Sequence, residues 1–519
     1  MNNLNSPALF RSLIVYAVCV PLAVTVGYLL TDFQDYDSMG FIGVLIAILI
    51  FPLLMKWHYP LLIFSWASPI TLFFLPGKPN LFIFMVVVSL SISVVESILN
   101  REKRFVPAGG VRWTLLALLL VVFITAKLTG GFGLRSMGSN VYGGKKYVTF
   151  IIGILSFFAI AARPIPKHKA NLYMLLFLAG GFLGFIADIY IFIPEPLRFI
   201  SLIIPPSDRG LDEMGNMQVE FGVTRLFGVA GTAGAVLLWL LARYGIRETF
   251  LSGKLWRPVV FGLCFILTFL GGFRSTLLSF VMLIGLLFVL EKLHRSILML
   301  PMILLGIMGS VALVPLAPHL PYTFQRTLAF LPLNIDPAAR VDAEGSTQWR
   351  LDIWAALMPQ VPQYLLLGKG YSFSAETFNE FMGRDATFRS IDAGNNALAL
   401  SNDFHSGPLS VVISFGIWGV LAWLAYWVAG FRVVWRNYKY GDPQLRHLNI
   451  FLFASLIGKC LVFLFIFGAI SEDVAGFAGI IGLSLALNHG VARPQPQPQA
   501  APAAAKARLP LPARPALQS

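Results

Sequence analysis

Four side chains in this sequence stand where they could handle a phosphate and a proton. Arg225 opens an apolar run in Val223-Thr-Arg225-Leu-Phe-Gly228-Val-Ala-Gly231, and Arg274 sits in the hinge between two apolar runs, Gly271-Gly-Phe-Arg274-Ser-Thr. Arg350 lies in Trp349-Arg350-Leu-Asp-Ile-Trp354, inside a long charged stretch. An arginine beside lipid costs desolvation unless it snorkels, faces a cavity or meets an anion, and neighbouring glycines let backbone and ligand come close. Taken singly, Arg225 or Arg274 is accounted for equally well by snorkelling. Three guanidiniums converging on one side suit bidentate recognition of phosphate, so a lipid-linked diphosphate is the expected target.

The proton-handling candidate is His405, in Ser401-Asn-Asp403-Phe-His405-Ser-Gly-Pro408-Leu409. Of seven histidines, only His319 and His405 map to the side that carries these arginines in the topology set out below. Imidazole exchanges protons near neutral pH, although a lone boundary histidine is more often a cap or an interfacial residue. Asp403 stands two positions before it. A metal-dependent alternative rests on Asp35-Tyr-Asp37, whose Asp-x-Asp spacing suits a hard divalent cation. No further ligand cluster accompanies it, so neither a metal nor another cofactor is expected.

The elements that must position these residues follow from composition. With 57% hydrophobic and 12% charged residues over 519 positions, the chain carries more apolar surface than one soluble core can bury. The apolar residues gather in runs of about twenty, the length of helix that crosses a bilayer. Backbone groups in lipid must be paired internally, so the expected fold is all-α and polytopic. About fourteen transmembrane helices are predicted, near residues 8–30, 39–56, 59–76, 79–99, 112–130, 146–162, 171–193, 223–242, 257–273, 275–291, 296–316, 407–430, 447–469 and 472–489. The first run is of full span length and is read as a span rather than a cleaved signal. Cys19, Cys264 and Cys460 all fall in apolar runs, where they act as small hydrophobes.

Basic residues orient the spans. From a cytoplasmic N-terminus, alternation puts Arg101, Lys103, Arg104, Arg112, Arg163, Lys167, Lys169, Arg243, Arg247, Lys254, Arg257, Arg432, Arg436, Lys439 and Arg446 inside, with Asp32, Asp35 and Asp37 outside. The formal net charge of +14 is therefore a topology signal, and nucleic-acid binding is not expected. Residues 1–316 are read as helices 1–11, and 317–406 as a periplasmic loop domain between helices 11 and 12. Residues 407–489 are read as helices 12–14, and 490–519, rich in proline and alanine, as a disordered cytoplasmic tail. Within the loop, Trp349 to Met358 puts Leu351, Trp354, Leu357 and Met358 on one helical face, with Arg350 and Asp352 off it, which predicts a short surface helix. Gly368-Lys-Gly370 then makes a tight turn that lacks the spacing of a nucleotide loop.

The order Arg225-Leu-Phe-Gly228, Phe-Arg274-Ser, Trp349-Arg350-Leu-Asp-Ile-Trp354 with Gly368-Lys-Gly370-Tyr, and His405-Ser-Gly-Pro-Leu409 with Phe-Gly416-Ile-Trp-Gly419 resembles the O-antigen ligase and O-antigen polymerase superfamily. The resemblance runs from about residue 145 to 470. It departs from the family at Ser406, where asparagine commonly follows the histidine, and at Phe273, where serine commonly precedes the arginine. It implies a metal-independent GT-C-type glycosyltransferase in the bacterial inner membrane, acting at the periplasmic face for cell-surface polysaccharide assembly. The implied donor is an undecaprenyl-diphosphate-linked glycan, the acceptor a glycan or lipid-linked hydroxyl, with membrane lipids as surroundings. On that resemblance Arg225 and Arg274 hold the diphosphate, Arg350 contacts the donor, and His405, with Asp403 beside it, serves the acceptor. A flippase for lipid-linked oligosaccharide, or another polysaccharide transporter, is the alternative for a many-helix chain with a basic cavity.

Overall fold

The computed structural model describes residues 36–75, 77–100, 104–134, 141–206, 225–297, 299–374, 376 and 404–494, together with 16–17, 19–21, 23–25 and 27. Most of this is helix. The strands named among the described residues are β1 (Val141–Tyr142) and β2 (Phe373–Ser374), which pair antiparallel. Seven helical segments among the described residues are long and apolar enough to cross a membrane, and three shorter apolar ones accompany them. The chain is thus a multi-pass membrane protein.

The first difference from expectation lies at residues 39–76. Two spans were expected at 39–56 and 59–76, but one helix, α1 (Tyr36–Ser65), runs through Pro52 and Pro60. It stops before Pro69, which has no N–H to donate and disfavours helix at the residue before it. Residues 66–80 instead form an irregular connection closed by a bridge between Thr71 and Asn80. The Asn80 side chain then caps α2 (Leu81–Leu99). The expected span at 171–193 is represented by one apolar helical segment, Lys167–Asp188, that changes character along its length. It begins as α5 (Ala170–Ala179), after α3 (Val111–Leu128) and α4 (Gly144–Ile160), and continues as short 3-10 and α turns to Phe192.

From residue 225 onward helices occupy the expected runs more closely, four of them in span-length segments and α7 to α9 in shorter apolar ones: α6 (Phe227–Leu251), α7 (Trp256–Leu267), α8 (Arg274–Leu290), α9 (Met299–Leu316), α12 (Gly407–Tyr440), α13 (Arg446–Phe465) and α14 (Ile470–Leu487). Between α9 and α12 stand α10 (Tyr322–Thr327) and α11 (Pro337–Leu357). The surface helix expected around Trp349 is therefore the end of a longer one, started by Asp336, whose side chain accepts from Ala338 N. Its packed face also differs. Ile353 and Leu357 are buried with Phe404, Leu409 and Ile413, while Leu351 and Met358 are exposed. The helix packs on the start of α12, and that contact decides which side chains turn inward.

α14 is the most enclosed of the long segments and lies along α4. Lipid tails are as apolar as these side chains, so such packing rests on close fit rather than on water exclusion. The long span α12 is broken at Gly416 (φ 61°, ψ −160°). Residues 365–370 fill the break. Ile417 N donates to Leu365 O at 2.6 Å, Lys369 N to Ile413 O at 2.7 Å and Gly370 N to Ser414 O at 2.9 Å. The Gly-Lys-Gly turn is therefore the partner of the broken helix and satisfies backbone groups that a helix break would otherwise orphan. A Cβ at Gly368 (φ +82°) would lie 2.4 Å from Ser414 O, so no side chain fits there.

Candidate active site

Where the first residues of α6, α8 and α12 meet α11, a cavity of about 480 Å³ opens. Arg225, Arg274, Arg350 and His405 all line it, so the structure brings together four of the five residues singled out from the sequence. The fifth, Asp403, lies outside the described residues, as does Asp35. Ser346, Thr347 and Trp349 of α11 form one wall, and Phe465 and Ile466 at the end of α13 another.

Each arginine is set by its element. Leu226 N, just ahead of α6, donates to Leu270 O at 3.0 Å, which ties Arg225 to the turn that ends at Gly272. Gly272 is left-handed (φ +65°), and its carbonyl accepts from Arg326 Nη1 at 2.6 Å. Arg326, which sequence reasoning missed, comes from α10 and is almost fully buried. Its Nε donates to Asp342 Oδ2 at 2.6 Å, and Arg225 Nη2 donates to the same oxygen at 3.3 Å. Tyr322 OH donates there as well, at 3.3 Å. Neither Arg326 nor Asp342 stands at the end of an apolar run or in a recognisable motif, so nothing in the sequence marked them.

Arg274 and Arg350 have a different environment. Arg274 Nη2 donates to Thr347 Oγ1 at 2.9 Å and to Ser346 Oγ at 3.5 Å, both neutral acceptors. Arg350 Nε is buried and has no hydrogen-bond partner among the described residues. Burial, and next the neighbouring Arg326, push the Arg350 guanidinium below its ordinary range. A guanidinium so displaced still carries its proton at neutral pH, and an anion in the cavity relieves both penalties.

His405 immediately precedes α12 in a left-handed backbone conformation (φ 49°). Its ring meets Trp349 edge to face at 5.1 Å and Phe467 at 4.9 Å. The Trp354 indole donates to Phe404 O at 3.0 Å and so fixes the residue before it to α11. Positive φ is uncommon for a residue with a side chain and is sustained here by packing on both sides. Phe273, where the family commonly has serine, stacks on Phe227 at 5.0 Å and joins the starts of α6 and α8. Ser406, at the other point of departure, is the residue before the first turn of α12 and makes no side-chain cap bond.

The arrangement can hold a doubly charged anion against several guanidiniums, with an imidazole on the rim. Among the described residues, no group of three or more His, Cys, Asp and Glu side chains is placed to hold a metal ion. No curated protein matches the chain. A family match covers residues 259–424, which include Arg274, Arg326, Asp342, Arg350 and His405 but not Arg225. That match is to the O-antigen ligase family and spans about a third of the chain, in support of the resemblance to the O-antigen ligase and polymerase superfamily.

Proposed function

We propose that this protein transfers a glycan from an undecaprenyl-diphosphate-linked donor to an acceptor hydroxyl at the periplasmic face of the bacterial inner membrane, without a metal ion. The observation that carries the reading is the charge of the cavity. Four guanidiniums line it, one carboxylate stands behind two of them, and His405 faces the same space. Orientation follows from the far ends of the same helices, where Arg243, Arg247, Lys254, Arg257, Arg436, Lys439 and Arg446 lie. The positive-inside rule makes that end cytoplasmic and the cavity periplasmic.

The reaction is a displacement at the anomeric carbon. The acceptor oxygen attacks, the bond from that carbon to the diphosphate oxygen breaks, and the bonding pair leaves with the diphosphate. That leaving group is a weak base, so stabilising its charge matters more than protonating it. Arg274 and Arg350, which make no ion pair with a carboxylate among the described residues, meet the developing charge, and Arg225 holds the same group from the α6 side. His405 orients the acceptor hydroxyl and takes its proton, a contribution of about 10²- to 10⁴-fold. A flippase would need its cationic site to reach both ends of the bundle, and these arginines gather at one.

The test supplies purified full-length protein in micelles with a defined undecaprenyl-diphosphate glycan and candidate acceptors, and identifies products by mass. His405→Ala and Arg274→Ala are each expected to lower transfer by about 100-fold or more while membrane insertion is unchanged. Excess chelator should leave wild-type transfer intact. Activity persisting in both variants would remove the site assignment, and movement of lipid-linked sugar across vesicles without bond formation would favour the transporter.

A further inference from the structure

Asp342 does not line the cavity, yet it is bonded to two residues that do. Its Oδ2 takes Arg326 Nε at 2.6 Å, Arg225 Nη2 at 3.3 Å and Tyr322 OH at 3.3 Å, and its Oδ1 takes Arg326 Nη2 at 3.4 Å. Among the described residues that line the cavity, none is acidic. Two guanidiniums brought side by side repel unless an anion sits between them, and here the anion belongs to the chain itself. Tyr322 comes from α10, Asp342 from α11 and Arg225 from just ahead of α6, so one carboxylate joins three elements.

We infer that Asp342 is a positioning residue and an internal competitor for the ligand: it aligns Arg225 and Arg326, and it limits the positive charge of the cavity so that the diphosphate product can leave. This rests on the donor reading above. In a glycosylated donor each phosphate carries one charge. Breaking the bond to the sugar uncovers a terminal phosphate whose further ionisation has a pKa of about 6, so the product is more anionic than the donor. A cavity of four guanidiniums with no counter-anion would hold that product most tightly of all, to the detriment of turnover. Asp342 offsets one of those charges from behind, where it keeps Arg225 in place without occupying the space for the phosphates.

Two quantities separate this role from a structural one: the affinity of micelle-solubilised full-length protein for undecaprenyl diphosphate, measured by direct binding, and the rate of transfer. Asp342→Asn is expected to bind undecaprenyl diphosphate about tenfold more tightly than wild type, because a charge is removed and Arg225 is released toward the phosphates. Its transfer rate should fall at least about tenfold. A merely structural aspartate would lose affinity and activity together. Asp342→Glu keeps the charge but displaces the bridge, so product affinity should stay within about twofold while transfer falls. This second variant carries the test if the first does not fold. Product binding by Asp342→Asn no tighter than wild type, unchanged transfer in either variant, or lost affinity in Asp342→Glu overturns the inference and leaves the donor reading standing. Wild-type protein that fails to bind undecaprenyl diphosphate overturns both.

Discussion

The arginines that line the cavity and the cations at the other end of the helix bundle are treated in opposite ways. At the end away from the cavity, Arg163 pairs with Glu96 and Lys167 with Asp442. Arg257 lies 3.7 Å over the Tyr244 ring, donates to Glu248 O at 3.0 Å and to Ser252 Oγ at 3.1 Å, and faces the Glu248 carboxylate at 3.6 Å. Glu291 accepts from Ile246 N and Arg247 N, where α6 breaks at Gly245, and so satisfies backbone that the break would leave unpaired. Lys439 sits over Trp435. At the cavity end, Arg225 and Arg326 share one acid, while Arg274 and Arg350 have none among the described residues. Cations that only fix topology can be neutralised locally at little cost. On the proposed function, the cavity arginines keep donors in reserve for an anion, and the burial that lowers the Arg350 pKa is the desolvation the protein bears for it.

Substitution at each end tests that contrast. The largest effect is expected from Arg350→Ala, which removes a donor held for the ligand: transfer should drop about 100-fold, with little change in thermal midpoint. A large loss of stability with normal transfer per folded molecule would make Arg350 a packing residue and collapse the distinction. Arg257→Ala should behave in reverse. Its stacking and hydrogen bonds are buried, so unfolding should become easier by about 2–4 kcal/mol, read from detergent-solubilised thermal or denaturant curves, while transfer per folded molecule is retained. The smallest effect belongs to Arg446→Gln, on the far-end cavity that also holds Arg247 and His447. Transfer and stability should both stay within about twofold and about 0.5 kcal/mol, as for other exposed single charges. A hundredfold loss of transfer there would show that the far end takes part in the reaction.

Much of the site was legible because its residues stand at boundaries. Arg225, Arg274 and His405 each mark a change from irregular chain to apolar run, and a charged group at such a change carries information by its place alone. Arg350 stands out by lying on the same side as Arg225 and Arg274 and by the resemblance around it. Arg326 and Asp342 gave no comparable sign, since a charged residue inside a charged stretch is ordinary until the fold turns it inward. The same holds for Gly368 and Gly416. Both glycines were visible in the sequence, but only the fold shows that one needs left-handed backbone beside Ser414 and that the other opens α12 to receive that turn.

The sequence by itself determined that this chain lives in a membrane and which runs form most of its helices, and it set Arg225, Arg274, Arg350 and His405 on one side. Hydrophobicity and the pairing of backbone groups in lipid are local constraints that act on each run separately. Tertiary structure alone decided that residues 39–76 hold one helix rather than two, and that Ile353 rather than Leu351 turns inward on α11. It also decided that Asp342 stands behind two arginines from different elements. Those outcomes depend on which surfaces meet, and side chains far apart in the chain acquire their electrostatic roles only when packing sets the distance between them.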